Sequence, residues 1–263
     1  MVKGKPRASA RQRRLGQNFL ADTNLLDSIV RDAGVEPSDV VLEVGGGGGA
    51  LTERLAAEAG HVHVIELDER LRGVLGPLAA EAGNVALHWG DAMREDLAAL
   101  APAPTRMVAN LPYSIATPLL LRTIAELPSL RSWLVMVQRE IAERLRAEPG
   151  TREYGSPSVT AQLACEVGLV RTVDPAVFTP RPRVESALLA MTRRGPAATP
   201  ELEALVREAF AHRRKSLARS LELARPGRID AVRAALERIG LPADARAEAL
   251  APGEFERLEE ELR

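Results

Sequence analysis

Cysteine is nearly absent from this 263-residue chain, which holds only Cys165. One thiol builds neither a disulfide framework nor a thiolate-based structural zinc site. Aromatic residues are scarce at 3%, so each can be followed individually. Lysine is confined to Lys3, Lys5 and Lys215; positive charge is carried by arginine, whose planar fork suits bidentate phosphate contacts. No run of about 18 uncharged apolar residues occurs, which excludes a membrane-spanning helix. The basic start of the chain has no apolar stretch behind it and is not a secretory signal. The expectation is a cytoplasmic protein with no membrane association.

What is present is an ordinary globular composition, 46% hydrophobic and 27% charged, which excludes a mostly disordered chain. The length allows one large or two modest domains. A net charge of −1 argues against a polyanionic partner, but the distribution argues for one. Lys3, Lys5, Arg7, Arg11, Arg13 and Arg14 fall before Leu20 with no acidic residue among them. Between Arg207 and Arg228 seven basic residues face only Glu208 and Glu222. Two basic clusters on a neutral protein suit a polyanion that touches one face, although charge runs alone are also ordinary solvated surface.

Along the chain, strand and helix patterns alternate. Asp22-Thr23-Asn24 offers caps to a helix with Leu25, Leu26, Ile29 and Val30 on one face and Gly34 as its stop. Val40–Val44, His61–Glu66, Val85–Trp89, Met107–Ala109 and Trp133–Val137 read as strands. Helical patterns follow Gly49, cover Glu69–Ala82 with an interruption at Gly76-Pro77, and recur over Thr117–Ala125 and Arg139–Ala147. Strand-like stretches at Cys165–Val173 and Ala187–Met191 flank a proline-rich turn. Short connections between alternating elements predict an α/β fold with a mostly parallel sheet. Arg193 to Pro200 reads as a linker, and Pro200–Ala211, Ile229–Ile239 and Pro252–Leu262 as helices. The expected organisation is an α/β domain over 1–194, carrying the basic arm, and a small all-α domain over 200–263.

Ligands of such sheets sit outside the carboxyl ends of the strands. The residues expected there are Gly45–Gly49, Glu66, Asp91 and Asn110. Five consecutive glycines let the backbone turn sharply and approach a ligand closely. Glu66, about 20 residues beyond the first glycine, can accept from a ribose diol. Asp91 can accept from an exocyclic amine. That combination describes an adenosine-containing cofactor, and the glycine spacing fits a dinucleotide and S-adenosyl-L-methionine (SAM) equally well. Asn110-Leu111-Pro112-Tyr113 ends the fourth strand. Its Asn110 carboxamide and Leu111 carbonyl are two acceptors that suit a planar amine, and Tyr113 offers a stacking face for a base. His61, His63, His88 and His212 read as scattered structural or surface residues, Cys165 as buried filler, and Trp89 and Trp133 as core.

The sequence resembles the ribosomal RNA adenine dimethyltransferases of the KsgA/Dim/Erm family over almost its whole length. Gly16-Gln17-Asn18-Phe19-Leu20 matches the family's N-terminal motif, and Leu42-Glu43-Val44-Gly45 through Thr52 its SAM loop. Asn110-Leu111-Pro112-Tyr113 matches the catalytic motif, and Phe178 to Ser186 the Phe-x-Pro-x-Pro-x-Val-x-Ser segment. Phe210 to Leu217 resembles the basic helix of its C-terminal domain. The resemblance implies a Rossmann-like SAM-dependent methyltransferase fold with an all-α, RNA-binding C-terminal domain. It implies that Asn18, Leu20, Gly45, Glu66, Asp91 and Asn110 contact SAM, with no metal. It further implies that Asn110, Leu111 and Tyr113 hold the target adenine, with Phe178 on its other face. The implied reaction is dimethylation at N6 of two adjacent adenines in the 3′-terminal hairpin loop of 16S rRNA, within an immature small subunit, by a monomer. A 23S rRNA methyltransferase of the Erm type and a non-catalytic RNA-binding relative are the alternatives. Two departures stand out. Gly46 and Gly48 replace proline and a bulky residue, which predicts a looser loop and weaker SAM binding, and Ser114 replaces asparagine or histidine.

Overall fold

The structure, a computed structural model, describes residues 19–20 and 22–263. Asn18 and the basic residues from Lys3 to Arg14 lie outside the described residues. By contacts the chain forms two compact units. One comprises residues up to Ala142 with Gly168–Thr192, the other Glu143–Val167 with Arg193–Arg263.

In chain order the strands are β1 (Phe19–Leu20), β2 (Val40–Val44), β3 (His61–Glu66), β4 (Val85–Trp89), β5 (Arg106–Asn110), β6 (Ser132–Gln138), β7 (Cys165–Val173), β8 (Phe178–Thr179) and β9 (Ser186–Arg193). Seven of them form one sheet in the order β4-β3-β2-β5-β6-β9-β7. β2, β3, β4, β5 and β6 pair in parallel, and β9 joins β6 antiparallel. β2 and β6, inside the sheet, are mostly apolar because strands covered on both faces must be apolar on both, whereas β4 at the edge is only half-buried. The direction in which the chain builds the sheet reverses between β2 and β5, the topological switch point at which open α/β sheets open a crevice.

The helices are α1 (Thr23–Ala33), α2 (Ala50–Glu58), α3 (Arg72–Ala82), α4 (Ala116–Glu126), α5 (Arg139–Leu145), α6 (Ser156–Ala164), α7 (Pro200–Phe210), α8 (Leu217–Ala224), α9 (Ile229–Arg238) and α10 (Pro252–Glu261). Asp22 caps α1 by accepting from the Leu25 N–H at 2.9 Å, and Gly34 stops it at φ 57°. The interruption expected at Gly76-Pro77 does not occur, and α3 runs straight through Pro77. Gly76 has no Cβ to collide with the proline ring, which removes the usual bar to helical backbone before proline. α6 and α8 were not separately anticipated. α6 buries Ser158, Val159, Thr160, Ala161 and Ala164, so no single apolar stripe marks it.

The second unit has its own core, in which Tyr154 meets Phe210 edge-on and Phe210 packs tilted against Phe255, with ring centroids 5.9 Å apart at each step. The buried Tyr154 hydroxyl donates to the Leu250 carbonyl at 2.8 Å. Because Tyr154 and Val159 belong to this core, the unit extends upstream of the linker expected at Arg193 to Pro200 and includes Glu143–Val167. Cys165 is buried, and that burial pushes its thiol up to about 11. Trp133 is core, its indole N–H donating to Thr123 Oγ1 at 3.0 Å. Trp89 is only half-buried, with the Arg72 guanidinium 4.5 Å from its ring centroid, so the core role expected for it is corrected. No helix among the described residues is long and apolar enough to cross a membrane.

Candidate active site

An open cleft of about 290 Å³ lies over the carboxyl ends of β2, β3, β4 and β5. Its first wall is the glycine loop between β2 and α2. Gly45, Gly47 and Gly49 take φ values of 84°, 55° and 83°, a region that side-chain-bearing residues rarely adopt. Gly46 is needed for a different reason. A Cβ there would stand 2.6 Å from Val64 Cγ1, on a residue that is fully buried. Gly48 meets neither condition, since its φ is not positive and nothing lies within 4 Å of an added Cβ. The loop is tied down by backbone bonds from Gly45 N–H to the Ile65 carbonyl at 2.8 Å and from Gly49 N–H to the Gly46 carbonyl at 2.9 Å. These anchors oppose the looseness expected from Gly46 and Gly48.

Two carboxylates serve this wall. Glu66, 5% exposed, ends β3 and accepts from Gly47 N–H at 3.0 Å and from Asp68 N–H at 2.8 Å, one bond on each oxygen. Each oxygen keeps a second lone pair. Glu43, on β2, is also buried and lines the cleft, accepting from the Thr52 hydroxyl at 2.6 Å. Burial above all, reinforced by the negative Glu66, pushes its carboxyl up to about 8 against the pull of the Thr52 bond. At neutral pH it is therefore mostly a neutral acid. Asp91 follows β4, and its Oδ1 accepts from Met93 N–H at 2.9 Å in a tight turn. That turn is clamped from α4, where Arg122 donates to the carbonyls of Ala92 and Glu95, each at 2.7 Å.

The facing wall is Asn110-Leu111-Pro112-Tyr113, at the end of β5. Leu111 N–H donates to the Met136 carbonyl at 3.0 Å, so the motif hangs from β6. The two walls come close at Gly45, where an added Cβ would lie 3.6 Å from the Pro112 ring and 3.7 Å from the Asn110 carbonyl oxygen. Tyr113 lines the cleft with its hydroxyl 2.7 Å from the buried Ser186 Oγ. Burial pushes this phenol up from its ordinary value, and the Ser186 bond offsets part of that.

Of the residues expected at the site, Leu20, Gly45, Glu66, Asp91, Asn110, Leu111 and Tyr113 all line the cleft, as does Ser114. Asn18 lies outside the described residues. Phe178 is not brought to the cleft. It is 2% exposed, packs in the same core cluster as Leu20 and Val173, and is absent from the lining. The antiparallel pairing of β8 with β1, Leu20 opposite Phe178, draws it into that cluster. Three contributors were missed: Glu43, Arg122 and Ser186. Glu43 stood within a recognised motif, but nothing in its neighbours signals a neutral carboxyl. Arg122 acts across the fold and carries no local signal, and Ser186 closes the recognised segment that starts at Phe178, but nothing in that segment points to Tyr113 as its partner. The histidines also depart from expectation, because three of them cluster. His63 Nδ1 lies 3.0 Å from His88 Nε2, His63 Nε2 lies 2.9 Å from the Pro102 carbonyl, and His61 packs edge-on against His63. No group of three or more metal-ligating side chains stands within reach of one ion among the described residues.

The residues present suit an adenosine-bearing ligand: a backbone cradle that excludes side chains at Gly45, Gly46, Gly47 and Gly49, a buried carboxylate with spare lone pairs, and an aspartate at the next strand end. The family model described as "Ribosomal RNA adenine dimethylase" matches residues 8–263. A protein of Rubrobacter xylanophilus named ribosomal RNA small subunit methyltransferase A is 43% identical over 249 residues, covering 93% of this chain and 92% of that one. A solved dimethyladenosine transferase from Plasmodium falciparum superposes with a TM-score of 0.78 at 26% identity, covering 91% of this chain and 95% of that one. The solved 23S rRNA methyltransferase ErmE superposes with a TM-score of 0.70 at 28% identity, covering 93% and 99%.

Proposed function

The chain belongs to the ribosomal RNA adenine dimethylase family, and from that premise we propose that it transfers methyl groups from SAM to N6 of two adjacent adenines. The adenines are those of the 3′-terminal hairpin loop of 16S rRNA in an immature small subunit, and the enzyme acts as a cytoplasmic monomer. The single observation that carries this reading is the meeting of the glycine cradle and Glu66 with Asn110-Leu111-Pro112-Tyr113 in one cleft. Names borne by relatives at 43% identity support the small-subunit target.

The proposed division of labour follows from the atoms. SAM, when bound, supplies a methyl group made electrophilic by its sulfonium. Glu66 accepts from the ribose hydroxyls and Asp91 from the adenine amine of that ligand. Across the cleft, the Asn110 carboxamide oxygen and the Leu111 carbonyl accept from the N6 amine of the target base. They draw N6 toward tetrahedral geometry and concentrate its lone pair in the direction of the methyl; the thioether departs, and the ammonium-like product nitrogen, being strongly acidic, releases its proton to water without a dedicated base. Tyr113 stacks on the base, worth roughly 1–3 kcal/mol. The rate then comes from positioning and electrostatics. The target base must leave its stack, which is least costly in a single-stranded loop. The basic arm and the exposed Arg207, Arg214, Lys215 and Arg219 grip the RNA backbone.

The test is incubation of immature 30S particles with labelled SAM, followed by mass spectrometry of the 3′-terminal fragment. Dimethyladenosine at the adjacent adenines is expected, and its absence overturns the proposal. The structural likeness to ErmE favours a second reading, a large-subunit acceptor. Label in 23S rRNA, with none in the 16S fragment, would establish that reading instead.

A further inference from the structure

We propose that Ser186 is a positioning residue for the transfer, and that its hydroxyl fixes the plane of Tyr113 so that the target base is held at one distance from the methyl donor. The inference rests on the reading of the cleft given above. Tyr113 follows Pro112 in a turn closed by a bond from Ile115 N–H to the Pro112 carbonyl at 3.1 Å. That turn fixes the tyrosine backbone but leaves the ring two torsions of freedom. The far end of the ring is held from another part of the chain, 73 residues on, where Ser186 Oγ lies 2.7 Å from the phenol oxygen.

Ser186 is well placed to act as a fixed post. It is fully buried, and it opens β9 opposite Gln138 of β6. Its neighbour Glu185 accepts from Arg139 N–H at 3.0 Å and pairs with the Arg139 guanidinium at 2.8 Å. β6 also carries Met136, opposite Asn110 in the sheet and the acceptor for Leu111 N–H. The acceptors for N6 and the post for the stacking ring therefore hang from the same strand. A ring free to tilt would still stack, but over a range of base positions. Each transfer would then be slower, and the second, onto an already methylated nitrogen, would more often be forestalled by release.

The experiment compares Ser186→Ala, Tyr113→Phe, the double variant and Ser186→Thr as complete chains. A hydrogen bond of ordinary strength predicts roughly a 5- to 10-fold fall in kcat for either single removal. The ratio of monomethyl to dimethyl product should rise, with the Kd for SAM unchanged. The double variant should match the singles, because one bond is lost in all three, and Ser186→Thr should restore activity. Additive losses, or a kcat unchanged in Ser186→Ala, overturn the proposal. A readout without substrate separates its failure from failure of the assigned reaction. In protein with 13C-labelled tyrosine, Ser186→Ala should shift the Cζ resonance of Tyr113 and leave that of Tyr154 in place. An unmoved Tyr113 resonance refutes the contact whatever the acceptor proves to be.

Discussion

The glycine wall of the cleft is made of backbone, whereas the wall that faces it is made of side chains held by other parts of the chain. At the first wall the loop is shaped by positive φ at Gly45, Gly47 and Gly49 and by close approach at Gly46, and an added Cβ is harmful at each of these but not at Gly48. At the second wall no residue takes a positive φ, and the chemistry lies in the Asn110 carboxamide, the Leu111 carbonyl and a phenol ring. Damage to the two walls should therefore differ in kind. The first should lose shape and cofactor affinity; the second should lose rate with the fold intact.

The sharpest break in that comparison is Asn110→Ala, which removes an acceptor for the N6 amine without adding bulk. By analogy with deletion of one preorganised transition-state contact, kcat should fall roughly 10²- to 10³-fold. Thermal stability and RNA affinity should stay near the parent values, and SAM affinity should fall far less than kcat, because Glu66, Asp91 and the glycine loop remain. A variant that loses SAM binding in proportion to rate would mean that the two walls are not separable.

A second effect comes from Glu43 and is read in stability against pH. Its folded carboxyl is raised to about 8 by burial, above an unfolded value near 4.5. A raised value means stability that is complete below about pH 4.5 and declines as pH climbs through 8. Glu43→Gln should abolish that decline, a gain on the order of a few kcal/mol at alkaline pH. The histidine cluster has the opposite sign. Burial lowers His63 and His88 below 6.5, with His61 also disfavouring their charge, while Glu95 partly supports it on His88. Lowered histidines add stability present above pH 6.5 and lost as pH falls below it. Urea titrations from pH 5 to 9 should thus give a bell for the parent chain and a plateau above pH 6.5 for Glu43→Gln.

The contrast between the walls also explains what could be read from the residues alone. The glycine run, Glu66 and Asp91 stand at fixed distances along one βαβ path, so local spacing reports them. Asn110 to Tyr113 are contiguous, and their residue types already state the chemistry. The supports could not be read. Ser186 meets Tyr113 and Arg122 meets the Asp91 turn only because the sheet and α4 bring them together. Phe178 was misplaced for a related reason: a motif reports that a side chain matters, whereas the pairing of β8 with β1 decides where it packs. The boundary between units escaped notice because Tyr154 and Val159 precede the linker yet bury in the helical core.

Within the glycine loop the comparison can be sharpened by one atom at a time. Gly46→Ala would put a methyl 2.6 Å from Val64 Cγ1. Val64 is fully buried and β-branched, with little freedom at χ1, so it cannot swing aside cheaply. Overpacking of this kind costs about 1–3 kcal/mol, and the distortion should also weaken SAM binding measured by calorimetry. Gly48→Ala adds the same methyl where nothing lies within 4 Å and φ is not positive. Its principal effect should be on the unfolded chain, whose lost freedom favours folding by about 0.4–1 kcal/mol. Urea midpoints of the two variants should therefore move in opposite directions. Equal shifts would mean that the loop is not pressed against β3 at Gly46, and that glycine there reflects something other than close approach.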